Sequence, residues 1–210
     1  MKAGFSKLFI SFIILSLIFS VYFTAKSYGI SDNTVNKIEA KYKNVYSITA
    51  YFYQKEIMPG YSQNMAFRGR FYYQRNKGMA WVYEYPFHKR QVLKNAKLYI
   101  ISNNRIKKVT VVNVGKEKGG FPPNVVKVIG SLTKYFRVEN ISKNSVSGEI
   151  VLELKPIAMQ RAKKIYVGFA EKNLKIKSLK IITHQGQIID FKYKNVKFNG
   201  SINGNIFNIH

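Results

Sequence analysis

The side chains able to do chemistry are few, and they are scattered. His88, His184 and His210 lie far apart, without the spacing of metal ligands. His184 and Asp190 could pair, but they lie six apart across Gln185-Gly186, which reads as a hairpin tip rather than a dyad. There is no nucleophile elbow, no phosphate-cradling glycine loop and no H-E-x-x-H. Ten carboxylates among 35 Lys and Arg read as ion-pair partners on a solvated surface rather than an acid/base pair. Cysteine is absent, which excludes thiolate metal sites, disulfides, a cysteine nucleophile and a lipid-modified N-terminal cysteine. These residues assign no catalytic group, no metal and no cofactor.

One charged residue is conspicuous by position instead. From Met65 to Arg75 the chain reads M-A-F-R-G-R-F-Y-Y-Q-R. Residues two apart share a face of a strand, so Met65, Phe67, Gly69, Phe71 and Tyr73 form one apolar row. If the strand runs on, Arg75 falls on that row, where a guanidinium needs hydrogen-bond partners. If the register breaks at Asn76-Lys77-Gly78, Arg75 is simply exposed.

The elements that would position these residues change character along the chain. Lys2 and Lys7 precede the uncharged run Leu8–Phe23, which reads as a secretory leader ending near residue 29. The run is short for a bilayer span, which favours export over an anchor. Residues 30–210 then form a single exported domain, soluble in the periplasm. The segment from Ser31 to Val45 reads as a helix with Val35, Ile38, Tyr42 and Val45 on one face. From Ile48 the period becomes two, and strands are expected at 48–56, 65–75, 79–85, 91–101, 105–114, 149–155, 163–171, 174–183, 187–198 and 205–209. A second helix is expected at about 123–135, started by Pro122-Pro123, with Val125, Val128, Ile129 and Leu132 on one face. This pattern describes an antiparallel meander, folded as a sandwich or barrel, carrying two amphipathic helices like a lid.

The first strands share an unusually aromatic face: Phe52, Phe67, Phe71, Tyr73, Met79, Trp81, Tyr83 and Tyr85. Such a stripe is either an ordinary core or the wall of an adaptable apolar pocket. The formal charge is +25, which favours anionic surfaces, although Lys, Asn, Ile and Tyr are abundant together as AT-rich coding would produce. Export argues against nucleic acid, and no RNA-binding aromatic motif is present.

Two passages resemble the periplasmic lipoprotein carrier (LolA) family. V-N-K-I-E-A-K-Y-K-N-V-Y-S-I-T-A-Y-F-Y-Q-K is similar to the family's opening helix and its A-x-F-x-Q strand, here Ala50, Phe52 and Gln54. G-R-F-Y-Y-Q-R-N-K-G-M-A-W-V-Y-E-Y-P is similar to its arginine–tryptophan stretch, here Gly69, Phe71, Arg75, Trp81, Tyr83 and Pro86. A looser likeness runs from Asn173 through Asn203-x-x-Ile206-Phe207. The resemblance implies a mainly β fold: an incomplete, half-closed antiparallel β-barrel whose hydrophobic cavity is covered by a lid of short α-helices. It implies a monomeric carrier that takes lipoprotein acyl chains from an inner-membrane ABC transporter to an outer-membrane acceptor. Cavity walls would then include Val35, Ile38, Phe52, Phe67, Phe71, Met79, Trp81, Tyr83, Val128, Ile129 and Leu132, with Arg75 latching the lid through helix backbone. Asn76 departs from the family, which often has proline there, and the chain lacks the usual proline-glycine tail and terminal extension. That leaves open how strictly cargo would be kept from returning to the inner membrane. Other readings are a β-cup lipid or glycolipid sensor, and a basic envelope protein that binds anionic polymers.

Overall fold

The computed structural model describes residues 32–111, 125–157 and 162–209. The expected leader, Pro122-Pro123 and His210 lie outside them. One antiparallel sheet of eleven strands dominates, in the order β6-β5-β4-β3-β2-β1-β11-β10-β9-β8-β7. β1 (Ser47–Ile57) pairs with β2 (Met65–Gln74) on one side and with β11 (Ile188–Phe198) on the other. From β2 the meander continues through β3 (Gly78–Tyr85), β4 (Lys89–Lys94), β5 (Lys97–Ser102) and β6 (Arg105–Val111). The second half runs from β7 (Phe136–Asn144) through β8 (Glu149–Pro156), β9 (Ala162–Ala170) and β10 (Ile176–Thr183) back to β11. The sheet is not closed, since β6 and β7 stand at its two ends. A two-sheet sandwich is therefore ruled out.

Several sequence expectations are corrected in detail. The strand expected at 91–101 is two strands, because Asn95 and Ala96 both adopt positive φ (49° and 57°) and reverse the chain between β4 and β5. Strand β7 was not anticipated at all. The strand expected at 205–209 is instead a 3-10 turn, Gly204–Phe207, whose Asn203 side chain accepts from the Asn205 N–H. The second helix is broken into α2 (Val125–Ile129) and α3 (Leu132–Tyr135). The break falls at Gly130, where an added Cβ would lie 3.3 Å from the Lys43 nitrogen. Glycine thus lets α2 come close to α1 (Asp32–Lys43).

Alternation divides the sheet into two faces. The inner face and the helices share one apolar cluster, to which strands of both halves contribute. A second, smaller cluster lies on the other face, where Phe207 covers Ala80, Val92 and Ile101. Arg90 pins this C-terminal segment by donating to the Asn205 and Asn208 carbonyls at 3.1 and 2.8 Å. Tyr85 was expected on the inner row but is half exposed. A bulge between Arg68 and Gly69 sets it opposite Arg68 on the outer face.

Candidate functional site

The inner face of β1–β3 is an aromatic floor built by register. Phe71 lies opposite Trp81 and Tyr73 opposite Met79, and Gly69 lies between Phe52 on β1 and Tyr83 on β3. Gly69 has no room for a side chain, because a Cβ would sit 2.0 Å from the Val82 carbonyl oxygen. Across it the Phe52 and Tyr83 rings meet edge to face at 5.2 Å. Phe71 and Trp81 follow at 5.4 Å. The floor continues onto β11, where Phe191 lies 6.0 Å from Phe52 and stacks on Tyr193.

Helices α1–α3 share one apolar cluster with this floor. Val35, Ile38 and Tyr42 recur at helical spacing, so α1 presents one apolar side, and all three are buried. Val126, Val128 and Ile129 from α2 and Leu132 from α3 are buried with them. All eleven residues expected as cavity wall, from Val35 and Ile38 through Phe52, Phe67, Phe71, Met79, Trp81 and Tyr83 to Val128, Ile129 and Leu132, belong to one packed cluster. None is more than 9% exposed.

Polar contacts tie the helices down. Tyr42 sits edge-on to Phe169 and Phe198, and its hydroxyl accepts from the Ile176 N–H at 2.9 Å. Glu39 Oε1 accepts from the Thr133 N–H and hydroxyl at 3.0 and 3.1 Å, joining α1 to α3. At the end of α1, Arg75 Nη2 donates to the Lys43 and Val45 carbonyls, while the Arg75 N–H bonds the Tyr46 carbonyl. Helix-terminal carbonyls lack intrahelical donors, so a guanidinium there fills vacant acceptors and opposes the helix dipole.

Arg75 itself does not continue the apolar row. Strand β2 ends at Gln74, and Arg75 is exposed in the following turn. Asn76 adopts φ 65° in that turn, a conformation closed to proline. Beside Arg75 a concavity of about 460 Å³ reaches inward to Tyr42, Tyr73, Leu93 and Val126.

The opposite end of the floor is polar. The Tyr83 hydroxyl donates to Gln54 Oε1 at 3.1 Å, and Gln54 Nε2 donates to Glu56. Lys89 Nζ lies 4.6 Å from the Tyr83 ring centre and 5.2 Å from that of Phe67. Burial pushes the Tyr83 hydroxyl pKa up, with the Glu56 carboxylate adding to it. Burial raises Tyr193 likewise. Trp81 Nε1 is buried with no hydrogen-bond partner among the described residues.

His184 is exposed in the β10–β11 turn, and Asp190 sits in β11 opposite Lys55 and Lys180. Sequence reasoning named no site residue on β9–β11. The alternation of Ile189, Phe191 and Tyr193 with Lys192 and Lys194 was the available signal. Among the described residues no helix is long and apolar enough to cross a membrane.

No curated protein matches the chain. Among solved structures it is loosely similar to a LolA-superfamily protein from Nitrosomonas europaea, at 10% identity and TM-score 0.45, covering 85% of this chain and 98% of that one. A putative outer-membrane lipoprotein-sorting protein domain from Vibrio parahaemolyticus is similar at 11% identity and TM-score 0.48, covering 83% and 95%. LprF from Mycobacterium bovis is similar at 10% identity and TM-score 0.44, covering 81% and 93%. The model of the outer membrane lipoprotein carrier protein LolA matches residues 43–210, from the end of α1 to the C-terminus, and the chain belongs to that family.

Proposed function

We propose that this protein is a carrier that holds lipoprotein acyl chains between the aromatic floor and helices α1–α3. In this reading it conveys them across the periplasm, from an inner-membrane releasing transporter to an outer-membrane acceptor. The packed arrangement is the empty, closed form of a half-closed barrel. Acyl chains enter beside Arg75, displace the helices from the floor and take their place.

The observation that carries the reading is the pair of bonds from Arg75 to the Lys43 and Val45 carbonyls. An acyl chain buries about 0.8 kcal/mol per methylene, which makes transit through water costly and hand-off slow once the chain is bound. A lid whose own contacts are broken on loading regains them on release. Closing then offsets part of the lost acyl contact, and the cargo can leave. Export by a cleaved leader fits the same role. N-terminal sequencing of the exported form should place its start between about residues 26 and 31.

Arg75→Leu tests the proposal. Because Arg75 is exposed in a turn, the variant should fold. It should still accept an acylated lipoprotein but release it to acceptor vesicles several-fold more slowly, so that the loaded complex accumulates. Normal transfer by a folded variant would sink the latch, and failure to load would count against it equally.

A further inference from the structure

The outer face of β11, β1, β2 and β3 carries a regular grid of cations and tyrosines. One hydrogen-bonded row runs Lys192–Tyr53–Arg68–Tyr85, and the next Lys194–Tyr51–Arg70–Val82. A third runs Lys197–Thr49–Tyr72–Ala80. Tyr51, Tyr53 and Tyr85 are 46%, 49% and 51% exposed. The guanidinium of Arg68 lies 5.2 Å from the Tyr85 ring centre, and that of Arg70 lies 5.3 Å from Tyr51. Two open concavities flank Tyr51. One, of about 620 Å³, is edged by Arg70, Tyr72 and Lys197, and the other, of about 440 Å³, by Arg68, Lys192 and Lys194. Glu84 lies beside this grid, and Arg70 pairs with it at 3.0 Å.

We infer that this face docks on the surface of an anionic phospholipid bilayer. The inference stands on the outer face alone and does not require the inner face to hold acyl chains. Surplus positive charge is spread over the whole chain, so charge by itself singles out nothing. The interleaving does: half-exposed tyrosine rings suit the headgroup layer, where an apolar body and a hydroxyl are both accommodated. Cations between them meet headgroup phosphates. The grid is also two-dimensional. Four strands at about 4.8 Å spacing and three rows about 7 Å apart cover roughly 14 Å each way. A planar array of headgroups matches all of it at once, whereas a linear polyanion follows a single line of charge. The C-terminal segment covers Ala80, Val92 and Ile101 at one border of the grid, while Tyr51, Tyr53, Arg68, Arg70, Lys192 and Lys194 stay exposed.

Flotation of the purified protein with phosphatidylglycerol/phosphatidylcholine vesicles tests this. In the outer-face variant Arg68, Arg70, Lys192 and Lys194 are all changed to Gln. A control variant changes four exposed lysines elsewhere to Gln, namely Lys107, Lys108, Lys163 and Lys172. Circular dichroism confirms that each is folded. The outer-face variant should lose more than tenfold in vesicle binding and the control less than threefold. Glu84→Gln, which removes the competing acid, should tighten binding. Equal losses in the two variants would mean diffuse charge and overturn the inference. So would an outer-face variant that binds vesicles normally but no longer binds dextran sulfate, which would mark a polymer site.

Discussion

Arg75 Nη2 donates to the Val45 carbonyl at 3.0 Å, across thirty residues of sequence, while its neighbour Gln74 closes strand β2. The same guanidinium nitrogen serves the Lys43 carbonyl, so one exposed side chain fixes the turn where helix α1 becomes strand β1. Hydrogen bonds from charged donors to such carbonyls contribute about 1–2 kcal/mol when partly exposed.

Arg75→Lys should therefore loosen α1 without unfolding the sheet. A lysine supplies a compact point charge in place of the planar guanidinium whose Nη2 donates to both carbonyls. Hydrogen exchange at Tyr42–Val45 should accelerate several-fold while β1 and β11 amides stay protected. Uniform acceleration throughout the sheet would show that Arg75 supports the whole fold and not the helix alone.

Asn76→Pro, the residue common in the family, should be poorly tolerated here. Asn76 sits at φ 65° and proline is fixed near −65°, so the turn must rearrange. Gly78, at φ 120° with the Leu93 carbonyl oxygen 2.2 Å from a would-be Cβ, allows little compensation. A loss of about 2–3 kcal/mol is expected by urea unfolding, with weakening of the Arg75 contacts. A neutral result would show that the turn can adopt the other geometry.

Most of the meander was legible because turn residues and a period of two coincide. Asn103 and Asn104, with φ 51° and 53°, mark the β5–β6 reversal as their residue types suggest. The reversal at Asn95-Ala96 was not legible, since alanine has no preference for its φ of 57°. Strand β7 was hidden by its position. As an edge strand it buries only Phe136, and its bulge between Val138 and Asn140 shifts the alternation midway. Arg75 shows a different limit. Its row was readable, but the strand ends one residue earlier, at Gln74, and only the tertiary fold brings the end of α1 to it. The pairing of β1 with β11 likewise joins segments about 140 residues apart, which no local pattern encodes.

Trp81 should report occupancy of the inner face. It is the chain's single tryptophan, buried against Phe71. Its Nε1–H lacks a partner among the described residues, so a ligand reaching the aromatic floor is expected to alter its environment. Titrating an acylated peptide should shift its emission in a saturable way, and the unacylated peptide should not. An unchanged spectrum at saturation would assign Trp81 to a fixed core.

Tyr42→Phe separates packing from polarity in α1. The ring contacts with Phe169 and Phe198 survive, but the Ile176 N–H loses the hydroxyl it donates to. A buried donor left unpaired costs about 1–3 kcal/mol. Equilibrium unfolding should show that loss, with faster exchange at Ile176 than at Leu179. Stability within about 0.3 kcal/mol of the native chain would mean the bond is not formed in solution.

Alkali should unfold the protein through three of its fifteen tyrosines. Burial raises the hydroxyl pKa of Tyr42, Tyr83 and Tyr193, holding each neutral in the folded state. The unfolded chain ionises its tyrosines near pH 10. Folding is thus fully supported below about pH 10 and opposed above it, because only the unfolded state gains by releasing these protons. Each such tyrosine costs up to about 1.4 kcal/mol per pH unit, so three cost about 4 kcal/mol by pH 11. That is a large share of the roughly 5–15 kcal/mol that holds a domain together. Absorbance at 295 nm should therefore show a late, cooperative step coinciding with loss of circular dichroism. Replacing Tyr193 with Phe should move the step to higher pH. Smooth ionisation of all fifteen tyrosines while the sheet remains intact would place these three hydroxyls in contact with water, and the aromatic floor would then be open in the empty protein.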